Sequence, residues 1–132
     1  MNQTVAPAPS RRDLSGPALR TFFNITRAWG LAADQERVLL GDPSRSTFFR
    51  WRAGPDGAEL GKDVLDRISY VLGIYKALHM IFPNDEQADG WIKRANTAPG
   101  FNGRSALERM LGGQVIDLFA VREYLDAERG WN

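Results

Sequence analysis

The side chains best suited to chemistry in this sequence are arginines, hydroxyls and aromatic rings. The segment from Ser44 to Arg52 holds three arginines and no acidic residue, interleaved with serine, threonine and aromatic residues. Arginine pairs with guanine edges and phosphates, and hydroxyl side chains bond phosphate oxygens. The segment therefore predicts contact with DNA, although its composition also fits a solvated basic helix. The candidate DNA-binding residues are Arg45, Ser46, Thr47, Arg50 and Arg52.

No pattern in the sequence indicates an enzyme. There is no cysteine, which excludes disulfides and thiolate metal sites, and the single histidine, His79, cannot hold a metal ion alone. The sequence also lacks a glycine-rich phosphate loop and a His/carboxylate ligand spacing. We therefore predict a binding protein with no catalytic residues, metal site or cofactor. His79 is interpreted as a partly buried, hydrogen-bonded side chain.

Length and composition favour one soluble unit of ordinary globular character. The chain has 132 residues, of which 43% are hydrophobic and 25% charged. Residues 1–62 hold nine Lys and Arg against six Asp and Glu, and residues 63–132 hold eight against ten. A basic front and an acidic back suit a chain that meets an anion with one half and another partner with the other. No leader or membrane-spanning run is visible, so we expect a cytoplasmic location.

Hydrophobic periodicity predicts an all-α fold, a compact multi-helix bundle. Residues 1–16 are expected to form a flexible tail, and Pro17 to open a first helix that ends at Gly30. A short second helix, a turn at residues 41–43 and the basic third helix then match a helix-turn-helix. Residues 17–62 are predicted to form this helix-turn-helix-like domain. The apolar face of the first helix is Leu19, Phe22, Phe23, Thr26 and Trp29.

The longest predicted helix, Lys62 to Phe82, has a wide apolar stripe and should be the strut on which the short helices pack. Asp63, Asp66, Arg67 and Lys76 are expected on its outer side. Gly73 lies within the helix, where glycine costs about 1 kcal/mol relative to alanine. Close approach of another helix, from this chain or from a second copy, would explain this glycine.

Residues 63–132 are predicted to combine this central helix with a C-terminal binding part. A fifth helix should run from Asn84 or Asp85 to about Asn96, followed by a loop that Phe101 anchors in the core. Two more helices follow, residues 105–111 and about 115–128. The chain then closes on glycine, tryptophan and asparagine, which we interpret as a plug for another protein. The alternative is that Trp131 packs back on its own domain.

The C-terminal residues resemble a known family. The stretches Trp91-Ile92, Phe101 to Leu111 and Val121 to Trp131 are similar to the toxin-binding domain of ParS/MbcA/Xre-type antitoxins. These proteins belong to bacterial type II toxin–antitoxin pairs whose toxins carry the RES domain. The resemblance covers about residues 18–132 and is strongest over 84–131. Ala106 departs from the family pattern, where proline is frequent, and leaves Ser105 as the helix cap.

The resemblance implies an antitoxin that is itself no enzyme. In such pairs the toxin consumes NAD or transfers a group from it, and the C-terminal region of the antitoxin covers the toxin's active site. A RES-domain toxin, operator DNA and a second copy of the chain are then the expected partners. The expected toxin-binding residues are Arg122, Glu123, Leu125, Asp126, Arg129, Gly130, Trp131 and Asn132.

Two further questions stay open at the level of sequence. A stand-alone transcriptional regulator, whose C-terminal bundle only dimerises, is the alternative function. A dimer is expected in either case, because operator binding commonly pairs two half-sites. Its interface is expected either around Gly73 or on the first helix at Phe22 and Phe23.

Overall fold

The computed structural model describes Ala8 and residues 10–130, and this part of the chain is all-α, as predicted. It contains no strand, and its one isolated β-bridge joins Ala95 to Ser105. None of its helices is both long enough and apolar enough to cross a bilayer. The helices are α1 (Arg11–Ala28), α2 (Ala33–Leu39), α3 (Arg45–Ala53), α4 (Lys62–Ile81), α5 (Asp85–Gly90), α6 (Ala106–Met110) and α7 (Val115–Glu128), with 3₁₀ turns at Pro55–Gly57 and Trp91–Lys93.

Helix α1 begins at Arg11 and not at Pro17, so the predicted tail is too long. The cause is a capping box: the Asp13 amide donates to Ser10 Oγ at 3.1 Å, and the Ser10 amide donates to Asp13 Oδ2 at 3.3 Å. Pro17 lies inside the helix, where it removes one backbone donor. The residue types at Ser15–Pro17 suggested a helix start, but this segment lies inside α1, where Ser15 and Gly16 are buried against the rest of the fold.

Ser15 joins α1 to the segment that precedes α4. Its hydroxyl donates to the Arg11 carbonyl at 2.5 Å and accepts from the Leu60 amide at 2.8 Å. Leu60 is buried, so this hydroxyl satisfies a backbone donor that water cannot reach. The bond closes the helix-turn-helix part of the fold over a span of 45 residues.

The predicted apolar face of α1 is confirmed. All five of its residues are buried, and Phe23 meets Phe48 of α3 edge to face, with ring centroids 6.0 Å apart. Phe22 and Phe23 are thus part of the core, and the first helix cannot present them to a second copy as the sequence suggested. The dimer interface expected at these two residues is therefore wrong.

Helix α4 is the strut of the fold, as predicted, and buries Ile68, Val71, Ile74 and Leu78. It packs against α1 in the first half of the chain and against α7 in the second half. Burial of each such aliphatic side chain contributes about 1.5–3 kcal/mol. Arg67 was expected on the outer side but is buried.

Arg67 ties α4 to the turn before α7. Its Nε donates to Asp63 Oδ2 at 2.9 Å, and its Nη1 donates to the Gly113 carbonyl at 3.1 Å. Two N–H groups of the guanidinium thus have acceptors within the fold, which explains how a charged side chain can be buried.

Helix α7 has the predicted bounds and α6 lies within its predicted range, whereas α5 is shorter than the sequence pattern suggested. Helix α5 gives way at Trp91 to a 3₁₀ turn, well before the predicted end near Asn96. Helix α6 starts with a capping box in which Ser105 Oγ accepts from the Glu108 amide at 3.1 Å. Ser105 therefore caps this helix as predicted, without the proline that the family pattern often places next to it.

The Ser15 contact gives a direct test of how α1 is held. We expect Ser15→Ala to lower the free energy of unfolding by about 1–3 kcal/mol, because it strands the buried Leu60 amide. Ser69→Ala is the matched control, since Ser69 is exposed on α4. Urea unfolding followed by circular dichroism measures both. Equal stability of the two variants would contradict the role assigned to Ser15.

Candidate functional site

The backbone conformation of the turn between α2 and α3 is fixed by its residues and their contacts. Gly41 and Asp42 both have left-handed backbone angles, with φ of 94° and 61°. A Cβ at Gly41 would lie 3.0 Å from the buried Arg67 side chain, and Arg37 holds Asp42 through two hydrogen bonds of 3.0 and 3.1 Å. These contacts fix the angle at which α3 leaves α2.

Helix α3 presents a polar and partly aromatic face to solvent. Ser44 caps it by accepting from the Thr47 amide at 3.2 Å, and Phe48 fastens it to the core. Ser46 and Arg50 are exposed and point away from the core, next to Phe49, whose exposed fraction is 44%. This is the surface that a recognition helix would place in a groove of DNA.

The remaining predicted DNA-binding residues have partners inside the protein. Arg45 lies 3.3 Å from Asp34 and stacks over the Phe49 ring at 5.6 Å. The Thr47 hydroxyl is engaged in the cap, where it accepts from Ser44 Oγ at 2.9 Å. Arg52 turns toward the buried Glu36, with 3.4 Å between Nη1 and Oε1. Ser46 Oγ lies 3.3 Å from Ser44 Oγ in the same cap, so among the described residues Arg50 is the one candidate of the five without such a contact.

Helix α7 is apolar on two sides. Its inner side buries Leu118, Val121 and Leu125. Its outer side exposes Ile116 and Phe119, with exposed fractions of 58% and 41%. Side chains at steps of three and four continue this outer face and line a shallow depression of about 380 Å³. We call this face the outer stripe, defined as Ile116, Phe119, Ala120, Glu123 and Ala127.

Arg122 covers the notch that Gly73 makes in α4. A Cβ at residue 73 would lie 2.5 Å from Arg122 Nε, so glycine is what lets this side chain cross the strut. The guanidinium group lies 5.9 Å from the centre of the Tyr70 ring and 3.7 Å from Asp126 Oδ2. The predicted close approach at Gly73 is confirmed, and the approaching helix comes from within the chain.

The other predicted toxin-binding residues are divided between surface and interior. Glu123 is exposed on the outer stripe, whereas Leu125 is only 2% exposed and fills the protein's own core, so its assignment as an anchor in a partner is wrong. Asp126 bridges Arg122 and Arg129, whose nearest atoms lie 3.7 and 3.5 Å away. Arg129 Nη2 also contacts Met80 Sδ at 2.8 Å. Gly130 ends the helix with φ of 81°, and Trp131 and Asn132 lie outside the described residues.

Three aromatic rings lock the loop of residues 96–103 onto α7. Tyr124 stacks on Trp91 at 6.1 Å and meets Phe101 edge to face at 5.1 Å. Phe101 is buried, so its predicted role as the anchor of the loop is confirmed. Arg109 adds hydrogen bonds of 3.0 Å to Asp117 and to the Gly100 carbonyl. The loop, α6 and α7 are therefore packed together as one unit.

His79 sits between two carboxylates, with Nδ1 3.2 Å from Asp85 and Nε2 2.7 Å from Asp89. It is partly buried and hydrogen-bonded, as predicted. Burial raises the pKa of the neighbouring Tyr75 phenol, and Asp89 and Asp85 add to the shift. The hydrogen bond that Lys62 Nζ donates to Asp66 Oδ2 likewise raises the pKa of Lys62. Both shifts move titration further from neutral pH and so create no acid or base for catalysis.

Two family models together span these surfaces. Residues 8–73 match the Xre-like antitoxin helix-turn-helix domain, and residues 77–130 match the antitoxin Xre/MbcA/ParS C-terminal toxin-binding domain. The chain belongs to the Xre/MbcA/ParS antitoxin family. A Sinorhizobium fredii relative, the uncharacterized protein y4oB, is 47% identical over 124 residues, which cover 93% of each chain. Antitoxin and helix-turn-helix families of this kind are generally non-enzymatic.

The family membership confirms the resemblance drawn from the residues. The outer stripe, by contrast, was not predicted from the sequence. Its signal was present in the run Val115 to Ala120, which is apolar on nearly every side of the helix. A helix with apolar residues all round is either enclosed or faces a partner.

The notch at Gly73 predicts an energetic coupling between α4 and α7. In an Arg122→Ala background, Gly73→Ala should stabilise the fold by about 1 kcal/mol through helix propensity. In the wild-type background the same change displaces the Arg122 side chain, so we expect most of that gain to disappear. A double-mutant cycle in urea measures the difference. Equal effects of Gly73→Ala in both backgrounds would show that the two residues do not interact.

Proposed function

We propose that this antitoxin neutralises a RES-domain, NAD-consuming toxin of a type II pair by laying its C-terminal segment over the toxin's active site. The observation that carries the proposal is the exposed apolar stripe on α7, within the residues that match the toxin-binding domain. Contiguous exposed apolar surface on a small soluble fold indicates a binding site for a protein partner. Ile116 and Phe119 are the anchors in this proposal.

Rigidity supports a role for α7 as a binding element. The inner side of the helix is packed on α4, and the Trp91, Phe101 and Tyr124 rings hold it to the preceding loop. A partner that binds such a helix orders few additional groups, so less of the interaction free energy is lost on association. The antitoxin can therefore present Ile116 and Phe119 in a fixed arrangement.

Charge supports the choice of an active-site cleft as the target. A cleft that binds the pyrophosphate of NAD requires cationic side chains, and residues 63–132 carry ten acidic against eight basic residues. Glu123 lies on the outer stripe and can pair with such a cation. Arg122, Asp126 and Arg129 form the adjacent charged edge of α7 and are proposed to border the contact.

We also propose that α3 binds operator DNA and that the antitoxin represses its own operon as a dimer. Ser46 and Arg50 are the exposed candidates for base and phosphate contacts, and Arg45 can reach DNA if it leaves Asp34. Residues 17–62 would then act as the DNA-binding unit and residues 63–132 as the toxin-binding unit. A pair of such units matches the two half-sites of a typical operator.

Phe119→Asp tests the toxin contact. We expect it to weaken binding of the neighbour-encoded RES toxin about 30-fold or more, as loss of an interface anchor costs roughly 2 kcal/mol or more. Leu14→Asp is the matched control, because Leu14 is similarly exposed on α1. Calorimetric titration of purified toxin measures affinity, and co-expression measures growth rescue.

The outcome of that experiment separates the two functions considered. Absence of toxin binding and of growth rescue by the wild-type chain, together with loss of the dimer in Phe119→Asp on gel filtration, would favour a regulator that only dimerises through α7. Removal of residues 130–132 in the same assay tests the terminal plug. If the shortened chain neutralises the toxin as well as wild type does, the contact lies on the helix and not on the terminal residues.

Arg50→Ala tests the DNA contact. We expect about a tenfold loss of affinity for the antitoxin's own promoter and a salt dependence reduced by about one ion if the contact is to phosphate. Arg104→Ala provides a control with the same change of charge at an exposed position in the toxin-binding half. Unchanged promoter affinity for Arg50→Ala would remove α3 as the recognition helix.

A further inference from the structure

A cleft of about 560 Å³ lies on the helix-turn-helix part of the fold, away from the outer stripe and between α1, α2 and the end of α3. Its volume is within the range of roughly 300–1,000 Å³ that small-molecule sites occupy. Neither the DNA contact nor the toxin contact proposed above uses it. The polar side chains that line it are Arg20, Asn24, Arg27, Glu36 and Arg52.

The floor of the cleft holds a buried carboxylate with one unused oxygen. Glu36 is only 5% exposed, and its Oε2 accepts a hydrogen bond of 2.5 Å from the Thr26 hydroxyl. Its Oε1 lies 3.4 Å from Arg52 Nη1, within ion-pair distance but without hydrogen-bond geometry. Among the described residues Oε1 has no hydrogen-bond donor and is itself buried beside Arg52, so it can accept an N–H group from a ligand once the Arg52 side chain moves aside.

The rim of the cleft is cationic. Arg27 is exposed and has no carboxylate partner within the described part of the chain, whereas Arg20 pairs with Asp56 and Arg52 faces Glu36. The Lys93 ammonium group reaches the carbonyl of Gly30, another lining residue, at 3.3 Å. Converging guanidinium groups above a low-dielectric wall favour a phosphate group.

Apolar side chains also line the cleft. Phe23, Leu31 and Pro55 offer flat or branched hydrocarbon surface on which an aromatic ring can rest. The site thus combines cationic groups for phosphate, an apolar surface and a buried acceptor for an amino group. A nucleotide carries a group that matches each of these three features.

We infer that the cleft binds a free nucleotide, with its phosphate at Arg27 and Arg52 and an exocyclic amino group of its base at Glu36. Because Arg52 belongs to α3, a bound phosphate would compete with Glu36 for a side chain of the helix proposed to read DNA. The site would thereby connect a small metabolite to the DNA-binding half of the antitoxin.

Calorimetric titration of the full chain with three probes tests the inference. We expect saturable binding of adenosine monophosphate, and binding of adenosine or of inorganic phosphate at least about tenfold weaker, since each lacks one of the recognised groups. Absence of saturable binding by adenosine monophosphate would overturn the inference. Equal binding of inorganic phosphate would reduce the site to an adventitious anion site and would overturn it as well.

Matched variants locate the binding. Arg27→Ala should weaken adenosine monophosphate binding about tenfold, whereas Arg12→Ala, which removes the same charge elsewhere on α1, should leave it unchanged. Equal loss in both variants would place the binding outside the cleft. Glu36→Gln should reduce the preference for adenosine monophosphate over inorganic phosphate. A thermal melt shows whether this variant folds. If it does not fold, the result for Arg27→Ala decides.

Competition with duplex DNA shows whether the cleft binds a free nucleotide or the phosphates of a duplex. We expect a duplex of unrelated sequence to leave adenosine monophosphate bound at ionic strength where nonspecific DNA binding is weak. If the duplex displaces the nucleotide fully and Arg27→Ala weakens duplex binding by the same factor, the cleft is part of the DNA contact and the nucleotide inference is wrong.

Discussion

Both halves of the antitoxin are built against helix α4. Its Val71, Ile74 and Leu78 side chains are almost inaccessible to solvent, and the helix contacts α1 in the first half of the chain and α7 in the second half. Glycine at residue 73 leaves a notch on the same helix, and Arg122 of α7 occupies that notch. A single strut therefore determines both where the helix-turn-helix is held and which face of α7 remains for a partner.

This packing divides the side chains of α7 between the core and the surface. Because Leu118, Val121 and Leu125 are buried on the inner side of α7, its exposed side chains lie on the other side of the helix. That remaining face is apolar at Ile116 and Phe119 and acidic at Glu123, which is an unusual combination for a helix with no further function. The proposed toxin contact thus follows from how α7 packs and not from the terminal residues alone.

The sequence predicted those features that depend on local pattern. The apolar face of α1 and the strut both follow from periodicity, and the structure confirms both of them. Features that depend on contacts between distant residues could not be predicted from the sequence. Ser15 and Gly16 looked like the start of a helix because their burial against residues 56–60 cannot be read from neighbours in the chain.

The same limit explains the errors at the candidate sites. Leu125 was assigned to a partner because a periodic apolar residue does not reveal which of two packed surfaces it faces. Arg52 was assigned to DNA because its pairing with Glu36 joins residues of different helices. Both corrections required the relative orientation of helices, which arises from the core and not from any single segment.

Hydroxyl-radical footprinting of the complex with its neighbour-encoded RES toxin tests the central claim most directly, because it reports the solvent access of individual side chains. On addition of toxin, we predict that oxidation of Ile116 and Phe119 falls while that of Leu14 and Phe49 is unchanged. Protection of Phe49 with continued oxidation of Phe119 would place the toxin on the helix-turn-helix half and contradict the account.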